Sequence, residues 1–189
     1  MKQLVSCFPK LFEKPNYWPE GLIWPPPVAP LGPGKRSEGP GTDFSPPDFP
    51  KRDLQIHLPT LAGILLFFGE LEQSHEISQG LSDGDGAYWH GLMHRREGDF
   101  ANAGYWFRRV GKHPVHSSLG RIVNGGNWLS VEVQKYSRQN PAWDMVWMNE
   151  MCKNTSKNGE ADWIKDLEIL QWSEYRLLLD YSAGVELCC

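Results

Sequence analysis

Two histidines and a glutamate recur at helical spacing near the middle of the chain. His90, His94 and Glu97 are four and three residues apart, so on a helix their side chains project from one face. Two imidazoles at this spacing, with a carboxylate, suit a divalent transition metal. The pattern differs from the HExxH motif of zinc proteases because the glutamate lies outside the histidine pair. A further ligand would have to come from elsewhere in the chain, and the residues considered are His75, His113, His116 and Glu174.

Positive charge is concentrated in the same part of the chain, over residues 95–112. It comes from two arginine pairs and a lysine: Arg95, Arg96, Arg108, Arg109 and Lys112. Guanidinium groups bind carboxylates and phosphates through paired hydrogen bonds, so an anionic metabolite or an acidic peptide is one predicted ligand. The alternative is that the arginines pair internally with acidic residues such as Glu97, Asp99, Glu168 and Glu174. We expect one arginine of each pair to lie at the edge of the core in a salt bridge and the other to point outward.

Three functions remain open for this segment. We favour a helical domain that binds an anionic small ligand or peptide, through His90, His94, Arg95, Arg96, Glu97, Arg108, Arg109 and His113. The second hypothesis is a hydrolase-type enzyme in which a divalent metal, held by His90, His94 and Glu97, activates water. The third is a purely structural hairpin in a protein-interaction domain, whose histidines hydrogen-bond to neighbours such as Asn102 or Tyr105. No other cofactor is indicated, and the sequence assigns no catalytic residue, because no serine lies in a GxSxG setting and no glycine-rich loop fits a nucleotide.

Helices must hold these side chains in place. The pattern predicts one helix over Ala87–Glu97 and a second over Asp99–Gly111, with Gly98 ending the first and Asp99 capping the second. Apolar residues three and four apart predict further helices over Thr60–Gln79, from Asn140-Pro141 onward, and over Ala161–Ser182. Residues 116–128 are not assigned, and Leu129–Val133 alternates weakly, as a strand would. The sequence therefore predicts an all-α fold, a small helical bundle.

Aromatic residues make up much of the predicted hairpin. They are Tyr88, Trp89, Tyr105, Trp106 and Phe107. A run of large apolar rings on a surface is costly to solubility, so we predict that these five residues form the face on which the hairpin packs.

The hairpin resembles a single tetratricopeptide repeat. The matching residues are Gly91, Gly98-Asp99-Phe100, Ala103, Phe107 and Pro114. In that repeat small residues let two antiparallel helices approach closely and an aromatic residue fills the space between them. No second copy follows at a period of about 34 residues, so a repeat array is not predicted. His90 and His94 stand where the repeat has apolar or aromatic residues, and the repeat pattern does not explain them.

The hairpin also resembles a segment of an uncharacterised family of bacterial and fungal proteins. The residues that carry this resemblance read YWHGLMHRREGDFANAGYWFRRVGKHPV. The segments Gln73–Glu76, Gln171–Tyr175 and Asp180-Tyr181 fit the same pattern, which extends the resemblance over residues 60–182. The resemblance implies a single domain and indicates no reaction.

Composition divides the chain near residue 55. Twelve of the fifteen prolines lie in the first fifty residues, so residues 1–55 are predicted to form an extended or disordered arm that a protein partner could bind. Residues 56–185 are predicted to form one α-helical domain. A net charge of −4 does not favour nucleic acid. The longest apolar run, Leu61–Phe68, is far shorter than the roughly 20 residues that span a bilayer, and four cysteines without metal or disulfide spacing favour a cytoplasmic location.

Overall fold

The computed structural model describes residues 57–140, 142–158 and 161–184, and within these residues the chain forms eight α-helices and no strand. The predicted all-α fold is therefore confirmed. The predicted proline-rich arm over residues 1–55 lies outside the described residues. Among the helices described, none combines the length and the apolar character that crossing a bilayer requires.

The first two helices are α1 (Leu58–Phe68) and α2 (Leu71–Gln79). The sequence predicted one helix over Thr60–Gln79, and this prediction is wrong at Gly69. Gly69 has φ 83°, a left-handed conformation that a glycine adopts without steric cost, and its amide donates to the Leu66 carbonyl at 3.1 Å. The chain turns at this residue, so α2 folds back as a separate short helix.

The central hairpin consists of α3 (Gly84–Glu97) and α4 (Phe100–Val110). The Asp83 side chain caps α3 by accepting a hydrogen bond from the Gly86 amide at 2.9 Å, and α3 therefore begins three residues earlier than predicted. At the turn Gly98 adopts φ 83°, and the Asp99 carboxylate accepts from the amide of Asn102 at 3.0 Å. The predicted turn is confirmed at both residues.

The two helices of the hairpin are in close contact. A Cβ atom added to Gly91 on α3 would lie only 2.5 Å from the ring of Phe107 on α4, closer than real Cβ contacts allow. Every residue from Gly86 to Arg96 is buried, so α3 has no exposed face over these three turns. It contacts α1, α2 and α4 along its length, and the hairpin is therefore part of the core.

The second half of the described chain contains four helices: α5 (Val115–Gly125), α6 (Val131–Gln139), α7 (Met145–Asn158) and α8 (Ala161–Ser182). Helix α8 has the predicted bounds. It contacts α1, α5, α6 and α7, while α7 also packs against α4. The largest fully buried side chains come from both halves of the chain and include Trp89, Phe107, Leu119, Met148, Leu170 and Leu178.

Local capping explains two corrections in this half. The weak strand predicted over Leu129–Val133 is wrong because Ser130 begins α6, its hydroxyl accepting from the Val133 amide at 3.3 Å. The buried Asp166 carboxylate also accepts from the Ser130 amide and hydroxyl, at 2.7 and 2.8 Å. The helix predicted to start at Asn140 starts instead at Met145, because Asp144 accepts from the first amides of α7. The unassigned residues 116–128 lie largely in α5.

The aromatic residues of the hairpin differ in exposure. Tyr88, Trp89 and Phe107 are fully buried, as predicted, and Trp106 is half-buried. The prediction is wrong for Tyr105, whose side chain is 49% exposed. It lies on the outer face of α4, where its hydroxyl accepts a hydrogen bond from Arg109 at 3.2 Å.

Candidate functional site

Three histidines meet where α2 packs against α3. His75 lies on α2, and His90 and His94 lie one turn apart on α3. One ligand atom from each ring lies within 4.8 Å of the other two. The ring of His75 meets His90 edge-on at 4.6 Å between centroids and His94 at 5.2 Å, while His90 and His94 are stacked at 4.7 Å. We call these three residues the histidine cluster.

The turn at Gly69 positions the third histidine. It brings α2 back beside α1, where the Ser74 hydroxyl donates to the Ala62 carbonyl at 2.8 Å. His75 is the next residue along α2 and faces α3. Of the four residues considered as a further ligand, the structure therefore brings His75 to the pair.

His90 is the most enclosed member of the cluster. Its side chain is 2% exposed, and its ring lies flat against Trp106 of α4, with centroids 4.0 Å apart and an interplanar angle of 17°. Neither ring nitrogen has a hydrogen-bond partner among the described residues. Buried polar atoms are nearly always paired, because an unmade hydrogen bond costs about 1–3 kcal/mol. Two unpaired nitrogens on one buried ring therefore need an explanation.

His94 has a hydrogen-bond partner at each ring nitrogen. Nε2 lies 3.1 Å from Nδ2 of Asn102, and Nδ1 lies 3.0 Å from a carboxylate oxygen of Glu97. An amide nitrogen can only donate, so the assigned orientation of Asn102 places the proton on Nδ1, which donates to Glu97. Glu97 was predicted as a metal ligand. It is not a member of the cluster; it contacts one member and orients that ring.

The two histidines on α3 have lowered pKa values. Burial, with smaller contributions from the rings of His94 and His75, lowers the pKa of His90 to about 4. Burial also lowers the pKa of His94, against the opposing effect of the Glu97 hydrogen bond. Neutral imidazole is the form that binds metal ions, so the lowered pKa values of His90 and His94 favour metal binding over protonation.

Arg95 and Arg96 are both buried, so the prediction that one of this pair points outward is wrong. Arg95 forms an ion pair with Glu174 of α8, and Arg96 donates to the carbonyl of Leu66 at the end of α1. Adjacent helical residues usually differ in exposure, but α3 is covered on all sides. Glu174, considered as a metal ligand, is paired with Arg95 and lies outside the cluster.

Glu174 is the centre of a polar network inside the core. Besides the ion pair with Arg95, its carboxylate accepts hydrogen bonds from the Tyr88 hydroxyl at 2.9 Å and from Trp143 Nε1 at 3.3 Å. Burial raises the pKa of Tyr88, and the Glu174 charge raises it further, so the phenol keeps its proton and donates. This network was not predicted, because its members lie far apart in the sequence.

A small cavity lies beside the two buried arginines. Its volume is about 30 Å³, and it is lined by Leu66, Leu92, Arg95, Arg96, Gln171 and Tyr175. Among the described residues Nη1 of Arg95 has no hydrogen-bond partner. A cavity of this size accommodates a water molecule, which could accept from this nitrogen.

Arg108 and Arg109 are both exposed on α4, which also contradicts the prediction for this pair. Arg109 lies over two aromatic rings, with its Cζ atom 5.5 Å from the centroid of Tyr105 and 5.4 Å from that of Trp106. Trp106 is the residue stacked on His90, so the indole ring lies between Arg109 and the histidine cluster.

His113 and His116 form a separate group beside Tyr88. His113 hydrogen-bonds to Asp85 at 2.9 Å, and its ring is 5.8 Å from that of His116. Burial lowers the pKa of His116 to about 4. Neither residue joins the histidine cluster. The structure therefore divides the eight predicted ligand-binding residues among four places: the cluster with Glu97, the buried arginine pair, the exposed arginine pair on α4, and His113 beside Tyr88.

Comparisons with known proteins give no relative. No protein-family model, no curated protein and no solved structure matches this chain.

Proposed function

We propose that the protein binds a divalent transition metal through His75, His90 and His94. The observation that carries this proposal is the convergence of three imidazoles within 4.8 Å, one of them buried with both ring nitrogens unpaired. A metal ligand keeps a nitrogen free of other hydrogen bonds, and a bound ion would replace the missing partner of His90. The proposal departs from the predicted ligand set, in that His75 takes the place of Glu97.

The geometry requires a small adjustment. Zinc–nitrogen bonds are about 2.0–2.1 Å long, so three nitrogens around a tetrahedral ion lie about 3.3 Å apart. The ligand atoms of the cluster lie within 4.8 Å of one another, and rotation of the imidazoles about their side-chain bonds can bring them closer. His75 is half-buried and has the most freedom to move.

Glu97 supports the same function from outside the cluster. A metal-bound histidine usually donates its other N–H to a carboxylate, which fixes the ring and makes it a better ligand. Glu97 accepts from Nδ1 of His94, so Nε2 would face the ion once Asn102 gives up its hydrogen bond. The sequence motif of His90, His94 and Glu97 is then two ligands and one orienting carboxylate.

The set of three imidazole nitrogens indicates the kind of site. Structural zinc sites have four protein ligands, whereas sites with three histidines leave a coordination position for water or substrate. Zinc lowers the pKa of such a water to about 7, which supplies hydroxide for hydrolysis or hydration. The metal hypothesis and the hydrolase-type hypothesis therefore refer to one site.

The arginine-based site has weaker support. Arg95 is neutralised by Glu174, and Arg96 caps the carbonyl end of α1. His113 pairs with Asp85. These contacts occupy the groups that would have to meet an anion. Arg109 packs on Trp106 and Tyr105 and contacts no member of the cluster among the described residues.

Metal titration tests the proposal. Full-length protein is treated with a chelator, dialysed, and titrated calorimetrically with Zn²⁺ and with Co²⁺. We expect one equivalent to bind, and His75→Gln or His94→Gln to weaken binding by more than about 100-fold, beyond the roughly 10–100-fold cost of losing an outer partner. The matched control is His57→Gln, because His57 is exposed and its side chain makes no capping hydrogen bond.

Cysteines outside the described residues could bind Zn²⁺ and imitate the site. The titrations are therefore repeated on a Cys188→Ser, Cys189→Ser double variant, which should retain the single equivalent. Circular dichroism checks that each variant is folded. If the folded protein binds no stoichiometric metal, or if His75→Gln and His94→Gln bind as tightly as His57→Gln, the proposal is wrong.

A further inference from the structure

Asn102 occupies the nitrogen of His94 that a metal ion would need. Its Nδ2 atom lies 3.1 Å from Nε2 of His94, while Nδ1 of the same ring lies 3.0 Å from a carboxylate oxygen of Glu97. Because the Nδ1 proton is donated to Glu97, the lone pair of the neutral ring is on Nε2, where it accepts from the amide. A neutral imidazole binds a metal ion through this same lone pair. Asn102 and an ion would therefore use one and the same acceptor.

The amide and the ion cannot occupy this position together. A hydrogen bond and a metal bond to an imidazole both lie near the direction of its lone pair. Since a zinc–nitrogen bond is about 2.0–2.1 Å long, an ion on Nε2 would come within about 1 Å of an amide nitrogen that lies 3.1 Å from Nε2. The side chain of Asn102 must therefore turn away when the ion binds.

Asn102 can turn away without moving the backbone of α4. It lies in the first turn of this helix, where its backbone amide donates to the Asp99 carboxylate at 3.0 Å. Its side chain is half-buried, so water can solvate the amide once it leaves the ring. Rotation about the side-chain bonds therefore releases Nε2 of His94 while the cap at Asp99 stays in place.

We infer that Asn102 regulates the proposed metal site by competing with the ion for Nε2 of His94. This inference rests on the proposed metal function and gives a role to a residue outside the ligand set. In the metal-free protein Asn102 and Glu97 hold the His94 ring from its two nitrogens. The ion has to break the hydrogen bond from Asn102, so the affinity of the site is lower by the value of that bond.

The first measurement compares metal affinities. Asn102→Ala removes the competing amide and keeps all three ligands, so it should bind Zn²⁺ about two- to tenfold more tightly than the wild type, the net value of a neutral hydrogen bond. Calorimetry on full-length protein carrying Cys188→Ser and Cys189→Ser measures the difference. If Asn102 only supported the structure of the cluster, its loss would weaken Zn²⁺ binding, so the direction of the change distinguishes competition from support.

Asn140→Ala is the matched control. Nδ2 of Asn140 also donates a single hydrogen bond, to the carbonyl of Tyr136 at 3.2 Å. This asparagine ends α6, a helix that contributes no member of the histidine cluster. Its replacement should change the Zn²⁺ affinity by less than about twofold, as expected for a distant site. Circular dichroism checks that both variants are folded.

Nuclear magnetic resonance of the wild type gives a measurement that needs no variant. In isotopically labelled, metal-free protein, the nitrogen chemical shifts of His94 should show a proton on Nδ1 and none on Nε2. Addition of Zn²⁺ should then shift Nε2, the nitrogen that Asn102 has released.

The outcomes separate the two proposals. If the wild type binds Zn²⁺ but Asn102→Ala binds it no more tightly than Asn140→Ala does, the competition by Asn102 is overturned and the metal function stands. The same conclusion follows if Zn²⁺ shifts Nδ1 of His94 rather than Nε2. If neither the wild type nor Asn102→Ala binds Zn²⁺, both proposals are overturned.

Discussion

Arg95 and Glu174 form an ion pair in which neither side chain reaches solvent: the exposed fractions are 3% and 0%. The pair joins α3 to α8, and the carboxylate also accepts from Tyr88 and Trp143. Taking two charges out of water is expensive, and their attraction offsets this cost only while both partners are present. The pair therefore makes the core sensitive to the loss of either residue.

We predict that Glu174→Gln lowers the free energy of unfolding by about 3–5 kcal/mol, because it leaves the Arg95 charge buried without a counter-charge. Urea denaturation at pH 7 measures the effect. The control is the double variant Arg95→Met, Glu174→Gln, which removes both charges and keeps an amide oxygen for Tyr88 and Trp143. It should be much less destabilised than Glu174→Gln alone. A single variant as stable as the wild type would show that Arg95 is neutralised by another group.

Replacing His90 by leucine should separate stability from function. His90→Leu removes two unpaired polar atoms from a buried position, so the free energy of unfolding should stay unchanged or rise by about 1 kcal/mol. The same variant should lose metal binding, because a ligand is gone. Urea denaturation and Zn²⁺ calorimetry measure the two effects. A loss of about 2 kcal/mol or more would instead indicate that contacts of the His90 ring hold the hairpin together.

The stability of the protein should fall on mild acidification, partly through His116. Burial lowers its pKa in the folded protein to about 4, the positive charge of His113 when protonated acts in the same direction, and Asp144 opposes them. The unfolded pKa is about 6.5, so the unfolded chain binds this proton first. The contribution of His116 is then fully present above pH 6.5 and is lost as the pH falls toward 4.

His116→Phe should therefore make the stability curve shallower between pH 6.5 and 4. Urea denaturation at several pH values measures the slope for this variant, for the wild type and for His57→Gln. Since Asp85 pairs with His113 and Tyr88 adjoins both rings, the phenylalanine faces no new unpaired charge. A His116→Phe slope equal to that of the wild type would place the acid sensitivity in other groups.

The close contact between α3 and α4 predicts opposite effects at two glycines. Gly91→Ala forces a methyl group to within 2.5 Å of Phe107 and should lower the free energy of unfolding by about 1–3 kcal/mol. Gly104→Ala meets only the end of Arg108 and Asn149, at 3.4 and 3.5 Å. It should be neutral or stabilising by up to about 1 kcal/mol through helix propensity. Thermal denaturation of both variants tests the contrast.

The parts of the fold that depend on local chemistry could be predicted. Gly98 and Asp99 determine the turn by backbone conformation and capping, and both act within a few residues of their own position. The break at Gly69 was not predicted, because apolar residues continue at helical spacing on both sides of this glycine. Whether such a glycine ends a helix or lies inside one depends on the packing of α2 back onto α1, which the spacing does not show.

The site depends on contacts that sequence spacing does not contain. The pairing of His90 and His94 on one face follows from helical geometry, but the choice of His75 over three other residues depends on how α2 packs against α3. Arg95 and Arg96 illustrate the same limit. Their charges suggest a solvated face, and only the covering helices show that residues 86–96 are all buried.

The position of His75 has a further consequence. Helix α2 spans nine residues and lies between Gly69 and Gly80, and it would supply one of the three metal bonds while α3 supplies two. Segments with few buried side chains are the ones that open locally in the native state, and the fully buried side chains of α2 are only Ser74 and Ser78. Each opening of α2 would have to release a metal bond, so amide hydrogen exchange along α2 should slow when the ion binds. The ion would then hold α2 against α3. Its measured affinity would include the free energy needed to keep α2 in its folded position.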